Sequence, residues 1–271
     1  MRPTSASPPS FIEPMQALLV EKLSDGDDWL YEIKHDGYRA LAFKDGKDVR
    51  LVSRNNKAFD YPQLLDALKL LLAERVILDG EIAALDEKGR SSFQLLQLFK
   101  SSGGVPLVYY VFDVLFLDGK DLRKEPLSAR RKLLADLLKK PPEHIRLSDE
   151  LRGTKDELLR IAQKFGLEGL VAKRKSSVYE SCRRSGAWVK FKITKSQEFV
   201  IGGYTLPEGS RKYFGSLLVG YQSPEGLVFA GRVGTGFSEK LWRASMRNCK
   251  RSDVPPAHSS TCRRKHGGVG D

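Results

Sequence analysis

The stretch Tyr31-Glu32-Ile33-Lys34-His35-Asp36-Gly37-Tyr38-Arg39 places a lysine in an apolar strand, just ahead of an Asp-Gly turn, with an arginine beyond it. The spacing Lys-x-Asp-Gly-x-Arg suits a lysine nucleophile. A lysine attacks phosphorus only as the neutral amine, so burial, nearby cations or a metal drawing charge off the phosphate must help it shed its proton. Leu30 and Ile33 offer a dry wall. Gly37 lets the backbone turn sharply and approach a nucleotide, Asp36 can orient an amine or a metal ion, and Arg39 can hold a phosphate through its fork of N–H donors. Strand period two puts Glu32 on the face of Lys34, where it can read an adenine edge or stand solvated. Taken alone, the nonapeptide reads equally well as a hairpin with a solvated Lys/Arg pair.

Downstream segments decide between those readings. Ser53-Arg54, Leu78-Asp79-Gly80-Glu81, Val111-Phe112-Asp113-Val114-Leu115, Glu168-Gly169-Leu170-Val171-Ala172-Lys173 and Trp188-Val189-Lys190-Phe191-Lys192 follow in order. With the Lys34 segment they resemble the motifs of covalent nucleotidyltransferases, and the chain is similar to ATP-dependent DNA ligases. The opening Phe11-Ile12-Glu13-Pro14-Met15, the Asp36-Gly37-Tyr38-Arg39 variant and Glu198-Phe199-Val200-Ile201-Gly202-Gly203-Tyr204 most resemble the ligase module of bacterial end-joining proteins. The resemblance runs from about Phe11 to Phe237.

The resemblance implies roles for single residues. Lys34 would attack the α-phosphorus of ATP, giving a lysyl-AMP and pyrophosphate. Arg39 and Arg54 would hold phosphate, of the nucleotide or of a DNA 5′ end. Glu81 would accept hydrogen bonds from ribose hydroxyls, and Phe112 would stack on adenine or serve the core. Glu168 would hold Mg2+ or Mn2+, because a hard, largely hydrated cation needs only one or two carboxylates besides phosphate oxygens. Lys190 and Lys192 alternate on one strand and so point together into the cleft, toward the α-phosphate, with Lys173 sharing that basic role. The reaction would run through lysyl-AMP, transfer of AMP to a 5′-phosphate, and attack by a 3′-hydroxyl. The expected partner is nicked or broken double-stranded DNA, and the resemblance adds a Ku-type end-binding protein.

Composition agrees. Lys and Arg total 46 against 34 Asp and Glu, a net charge of +12 that favours a polyanion. At 271 residues the chain has room for two domains. With neither a bilayer-length apolar run nor a signal-peptide core, a soluble cytoplasmic protein is expected, and the resemblance implies a bacterial, nucleoid-associated monomer. Cys182, Cys249 and Cys262 are widely spaced, without a Cys-x-x-Cys pair, and read as free thiols.

Strands are expected at residues 29–33, 38–43, 49–53, 76–85, 107–117 and 188–193, with another carrying Glu168 and Lys173. Helices are expected through Leu64, Leu65, Leu68, Leu71 and Leu72, over 93–99, and after Pro126 with Leu133, Leu134, Leu137 and Leu138 on one face. Thr154 and Glu157 form a capping-box signature for another, ending near Gly166. These elements suggest an α+β domain whose sheets line a cleft, and the resemblance implies a nucleotidyltransferase (ATP-grasp-like ligase) domain. From Gln197 the texture changes to β, with strands expected at 199–205, 216–222 and 227–233 and then a short helix-like piece near 239–246, and the resemblance makes this a small, incomplete β-barrel of the OB type. The expected division is a leader over 1–10, an adenylation domain over 11–195, a partial barrel over 196–246 and an atypical basic tail over 247–271.

The tail departs from the family, which continues with further strands and a basic motif that contacts pyrophosphate. Back-translating Ala257–Lys265 and shifting the frame can restore a family-like continuation, so a frameshift near residues 255–257 is the expectation; with the tail as written, self-adenylation would be weak or lost. Two other classes stay open: an RNA ligase or mRNA-capping guanylyltransferase sharing the lysine chemistry, and an adenylation-impaired DNA-binding remnant.

Overall fold

The structure, a computed structural model, describes residues 9–102, 104–193, 198–207, 214–252 and 256–257. The chain forms two compact units, Met1–Thr194 and Lys195–Asp271.

In the first unit the strands are β1 (Leu18–Leu19), β2 (Trp29–Ile33), β3 (Tyr38–Asp45), β4 (Asp48–Ser53), β5 (Arg75–Ala84), β6 (Leu107–Leu117), β7 (Lys120–Asp121), β8 (Ile145–Leu147), β9 (Glu150–Leu151), β10 (Gly169–Arg174) and β11 (Trp188–Lys192). The helices are α1 (Pro62–Lys69), α2 (Phe93–Ser102), α3 (Leu127–Leu137) and α4 (Lys155–Lys164). One sheet has the order β1-β11-β10-β2-β9; the other runs β4-β3-β5-β6-β7, with β8 parallel to β6.

Alternation along the strands builds the layers. On β3, Ala40 and Ala42 join a core with Leu64, Leu68 and Leu134 from α1 and α3, while Leu41 and Phe43 join a second core with Trp188 of the other sheet. A third core sets Leu158 and Ala162 of α4 against Tyr31, Leu170, Ala172 and Val189. The resulting order is helices, sheet, sheet, helix. The odd-numbered residues of β3 and β5, and Glu32, Lys173 and Lys190 opposite Tyr31, Ala172 and Val189, consequently face the space between the sheets.

Here the hairpin reading fails. β2 pairs with β10 and β9, and β3 with β4 and β5, so residues 34–37 cross from one sheet to the other. Gly37 is required by that crossing: a Cβ there would lie 2.0 Å from the Ile82 carbonyl oxygen.

Two helical faces also differ from expectation. On α3 the buried residues are Leu127, Arg130, Arg131 and Leu134, whereas Leu133 is 37% exposed. Arg130 Nε and Nη2 grip buried Asp113 at 2.8 and 2.9 Å, so an ion pair takes the place that leucine periodicity assigned to Leu133. α1 stops at Lys69, leaving Leu72 97% exposed beyond it. The α4 capping box is present in both directions: Thr154 Oγ1 accepts from Glu157 N at 3.4 Å, and Glu157 Oε2 accepts from Thr154 N at 2.9 Å.

The second unit holds β12 (Val200–Thr205), β13 (Leu217–Ser223), β14 (Gly226–Val233), α5 (Glu239–Arg251) and β15 (Pro256–Ala257). The strands make an open sheet in the order β14-β13-β12-β15, and no closed barrel forms among the described residues. Trp242, Met246 and Cys249 of α5 pack with Tyr204, Phe214 and Leu217. The supposed tail therefore starts inside a helix: Cys249 continues the apolar spacing of Trp242 and Met246. The rest of the tail, with the frameshift reading and Cys262, lies outside the described residues apart from β15.

Candidate active site

A cavity of about 850 Å³ lies between the two sheets of the first unit. Glu32, Lys34, Arg39, Arg54, Glu81, Phe112, Lys173 and Lys190 all line it, together with His35 and Trp188. The sheet crossing brings Lys34 there. Its backbone N–H still bonds the Gly169 carbonyl at 3.0 Å, extending the β2–β10 ladder by one residue, and its Nζ is ion-paired with Glu168. Lys192 Nζ lies 3.2 Å from the other Glu168 oxygen, so this carboxylate sits between two lysines. Lys192 is about half exposed and is not among the lining residues: only Lys190 of the alternating pair faces the cavity. Burial, then the charges of Lys34, Arg184 and Lys192, hold the Lys190 ammonium below its ordinary pKa.

Glu32 is almost fully buried. Its Oε2 accepts from Lys173 Nζ at 2.8 Å and from Ser148 Oγ at 3.3 Å, while Oε1 has no hydrogen-bond partner, although Arg131 Nη1 lies 3.3 Å away. A buried acceptor of this kind is available to a ligand donor. Lys173 Nζ also lies 4.0 Å from the Phe112 ring centroid and 4.5 Å from Trp188, and burial lowers its pKa despite Glu32. One face of Phe112 is thus covered by a cation, and its edge meets Trp188 at 6.1 Å.

Arg39 is less free than its motif suggests. Its Nε and Nη2 bind Asp79 at 3.0 and 2.6 Å; burial disfavours its charge, but Asp79 outweighs that and raises the pKa. Its guanidinium carbon also lies 5.2 Å from the Phe112 ring centroid and 5.7 Å from that of Trp188, while Arg54 on the rim is exposed. Glu81 rises to about 7, because burial outweighs the nearby Arg39 and Lys34 charges. Asp36 is not at the site. Its carboxylate accepts from the Phe93 backbone N–H at 3.0 Å, at the start of α2, rather than orienting an amine or a metal.

Sequence reasoning missed His35, Trp188, Arg131 and Tyr179. His35 stacks on Tyr110 at 3.8 Å with rings 10° apart, and burial, then Lys173 and Lys34, bring its pKa to about 4. Adjacency to Lys34 is the signal that could have found it. No group of three or more His, Cys, Asp or Glu able to hold a metal occurs among the described residues. Glu168, carrying hard oxygen donors and partly open to solvent, fits a cation that takes its other ligands from phosphate and water.

The fold matches that of a nucleotidyltransferase-type ATP-dependent DNA ligase domain. The family profile of the ATP dependent DNA ligase domain matches residues 13–192, and the chain belongs to that family. It is 41% identical to the multifunctional non-homologous end joining protein LigD of Pseudomonas aeruginosa, over 93% of this chain and 32% of that protein. Among solved structures it resembles the ligase domain of Mycobacterium tuberculosis LigD, at 38% identity and a TM-score of 0.60, covering 88% of this chain and 77% of that one. A mycobacterial DNA ligase D complexed with ATP and MES matches at 35% identity and a TM-score of 0.60, over 87% and 77%. The chain spans about a third of the length of the Pseudomonas relative. No helix among the described residues is long and apolar enough to cross a membrane.

Proposed function

We propose that this chain is an ATP-dependent DNA ligase that seals 5′-phosphate/3′-hydroxyl nicks or breaks through a lysyl-AMP on Lys34, in bacterial end joining. The observation that carries this is the position of Lys34 on the wall of the cavity, with Glu168 beside it and carboxylates, an aromatic ring and cations on the remaining walls.

In this reading Glu32 offers its unpartnered Oε1 to the adenine amino group, and Phe112 stacks on the base. Glu81, ionised above about pH 7, accepts from the ribose hydroxyls. Lys190 binds the α-phosphate, Lys192 supports it from the rim, and Arg39 Nη1 and Arg54 hold phosphate of the nucleotide or of the DNA 5′ end. Lys34 must leave Glu168 and lose its proton before attack. A magnesium ion on Glu168 would draw charge off the phosphate oxygens. Each step is displacement at phosphorus, so positioning and cationic side chains can supply most of the catalysis. Residues 11–195 serve as the adenylation domain, and the sheet of β12 to β15 is part of an OB-type nucleic-acid-binding barrel. A Ku-type protein would deliver DNA ends.

The test is intact-protein mass after incubation with ATP and magnesium, beside Lys34→Ala. Addition of one AMP to the wild type alone supports the reading, and no addition to a folded wild type overturns the lysyl-AMP step.

A further inference from the structure

Asp79 is a fully buried carboxylate on β5, and such a charge is tolerable only when paired and hydrogen-bonded. Arg39 supplies two of its bonds. The third comes from Tyr179, whose hydroxyl donates to Asp79 Oδ2 at 2.6 Å and accepts from the Met15 backbone N–H at 3.0 Å. The polarity of this chain is fixed, because the amide can only donate and the carboxylate can only accept. Tyr179 is 4% exposed, and its ring stands edge-on to Trp188 at 5.8 Å.

Met15 belongs to a segment docked along the loop that follows Tyr179. Gln16 N bonds the Arg183 carbonyl at 2.9 Å, Cys182 N bonds the Glu13 carbonyl at 3.3 Å, and Arg184 Nη2 bonds Gln16 Oε1 at 2.6 Å. Met15 and Ile12 are buried in the core between the sheets. Glu13, Pro14, Gln16 and Ala17 line the same cavity as Arg39.

We propose that Tyr179 is a positioning residue for Arg39, acting through Asp79, and that it ties the aim of this arginine to the docking of residues 13–17. The proposal rests on the reading of Arg39 as a phosphate ligand given above. An arginine held by its Nε and Nη2 presents Nη1 in one orientation, so phosphate binding need not freeze the side chain. Tyr179 holds the carboxylate that holds the fork. Undocking residues 13–17 would remove the donor to the tyrosine and loosen that chain of bonds.

The test uses the full chain with Tyr179→Phe, which keeps the ring and removes only the hydroxyl. Self-adenylation is expected to slow by about tenfold, the scale of one side chain left to be ordered on binding. In an Arg39→Ala/Asp79→Asn background, which strands no buried carboxylate, the same substitution should cost nothing further, because its effect passes through the missing arginine; losses that multiply would mean a purely structural tyrosine and overturn the proposal. Hydrogen exchange at Arg39 Nε–H, read by nuclear magnetic resonance, gives a measure independent of activity. Exchange should quicken in Tyr179→Phe, and unchanged exchange overturns the proposal. If Tyr179→Phe does not fold, 3-fluorotyrosine placed at position 179 makes a stronger donor and should slow the exchange; no change would again overturn it. A wild type that takes up no AMP would remove the catalytic reading while the exchange measurement still decides the positioning.

Discussion

Lys173 Nζ lies 2.8 Å from Glu32 Oε2, and the two side chains are only 2% and 3% exposed. Such a pair adds little over a well-packed apolar one, but removing one member strands a buried charge, at a cost of about 3–5 kcal/mol. Glu32→Ala, which takes the carboxylate from both buried Lys173 and Arg131, should therefore lower unfolding stability by that order in a denaturant titration. Lys192→Ala, which removes a half-exposed partner of Glu168, should cost less than about 1 kcal/mol.

Gly37→Ala forces a Cβ against the Ile82 carbonyl, and backbone must move to admit it. A destabilisation of about 2 kcal/mol or more is expected, with slower AMP uptake although Lys34 is intact. Gly231→Ala, where a Cβ meets nothing within 4 Å, should stay within about 0.5 kcal/mol. Thermal melts of the two variants check the contrast.

His35 is held neutral, with its pKa lowered from 6.5 to about 4. As pH falls below 6.5 the unfolded chain takes up a proton that the folded chain refuses, so stability is lost from about pH 6.5 down to about 4 and is flat in this respect below it. The loss is on the order of 3 kcal/mol. His35→Phe keeps a ring for Tyr110 to stack on and should flatten that part of the stability profile. An unchanged slope between pH 6.5 and 4 would show that the histidine does not carry it.

Thr154→Ala removes the hydroxyl that accepts from Glu157 N at the start of α4. The expected cost is about 1 kcal/mol, and Thr154→Ser should restore most of it. Chemical denaturation of the three proteins provides the comparison.

The sequence by itself determined the strands and helices whose cause is local. The capping box of α4 spans only four residues, β6 is a long β-branched and aromatic run, and the order of motifs around Lys34, Glu81, Glu168 and Lys190 led to the family. Where a short segment competed with long-range pairing, local reading fell short. Edge strands β1, β7 and β9 have two residues each and carry no periodicity of their own, being strands only because a neighbour's backbone pairs with them. Arg130 and Arg131 looked like the solvated side of α3, and only Asp113 and Glu32, distant in sequence, make their burial tolerable. An Asp-Gly pair between two strands reads as a hairpin whether the strands pair with each other or part into separate sheets. The tertiary structure parts them because β2 and β3 each bury one apolar face against a different helical layer. That parting sets Lys34 on the cavity wall, draws Asp36 away to α2, and brings Tyr179 to Asp79 across 100 residues of chain.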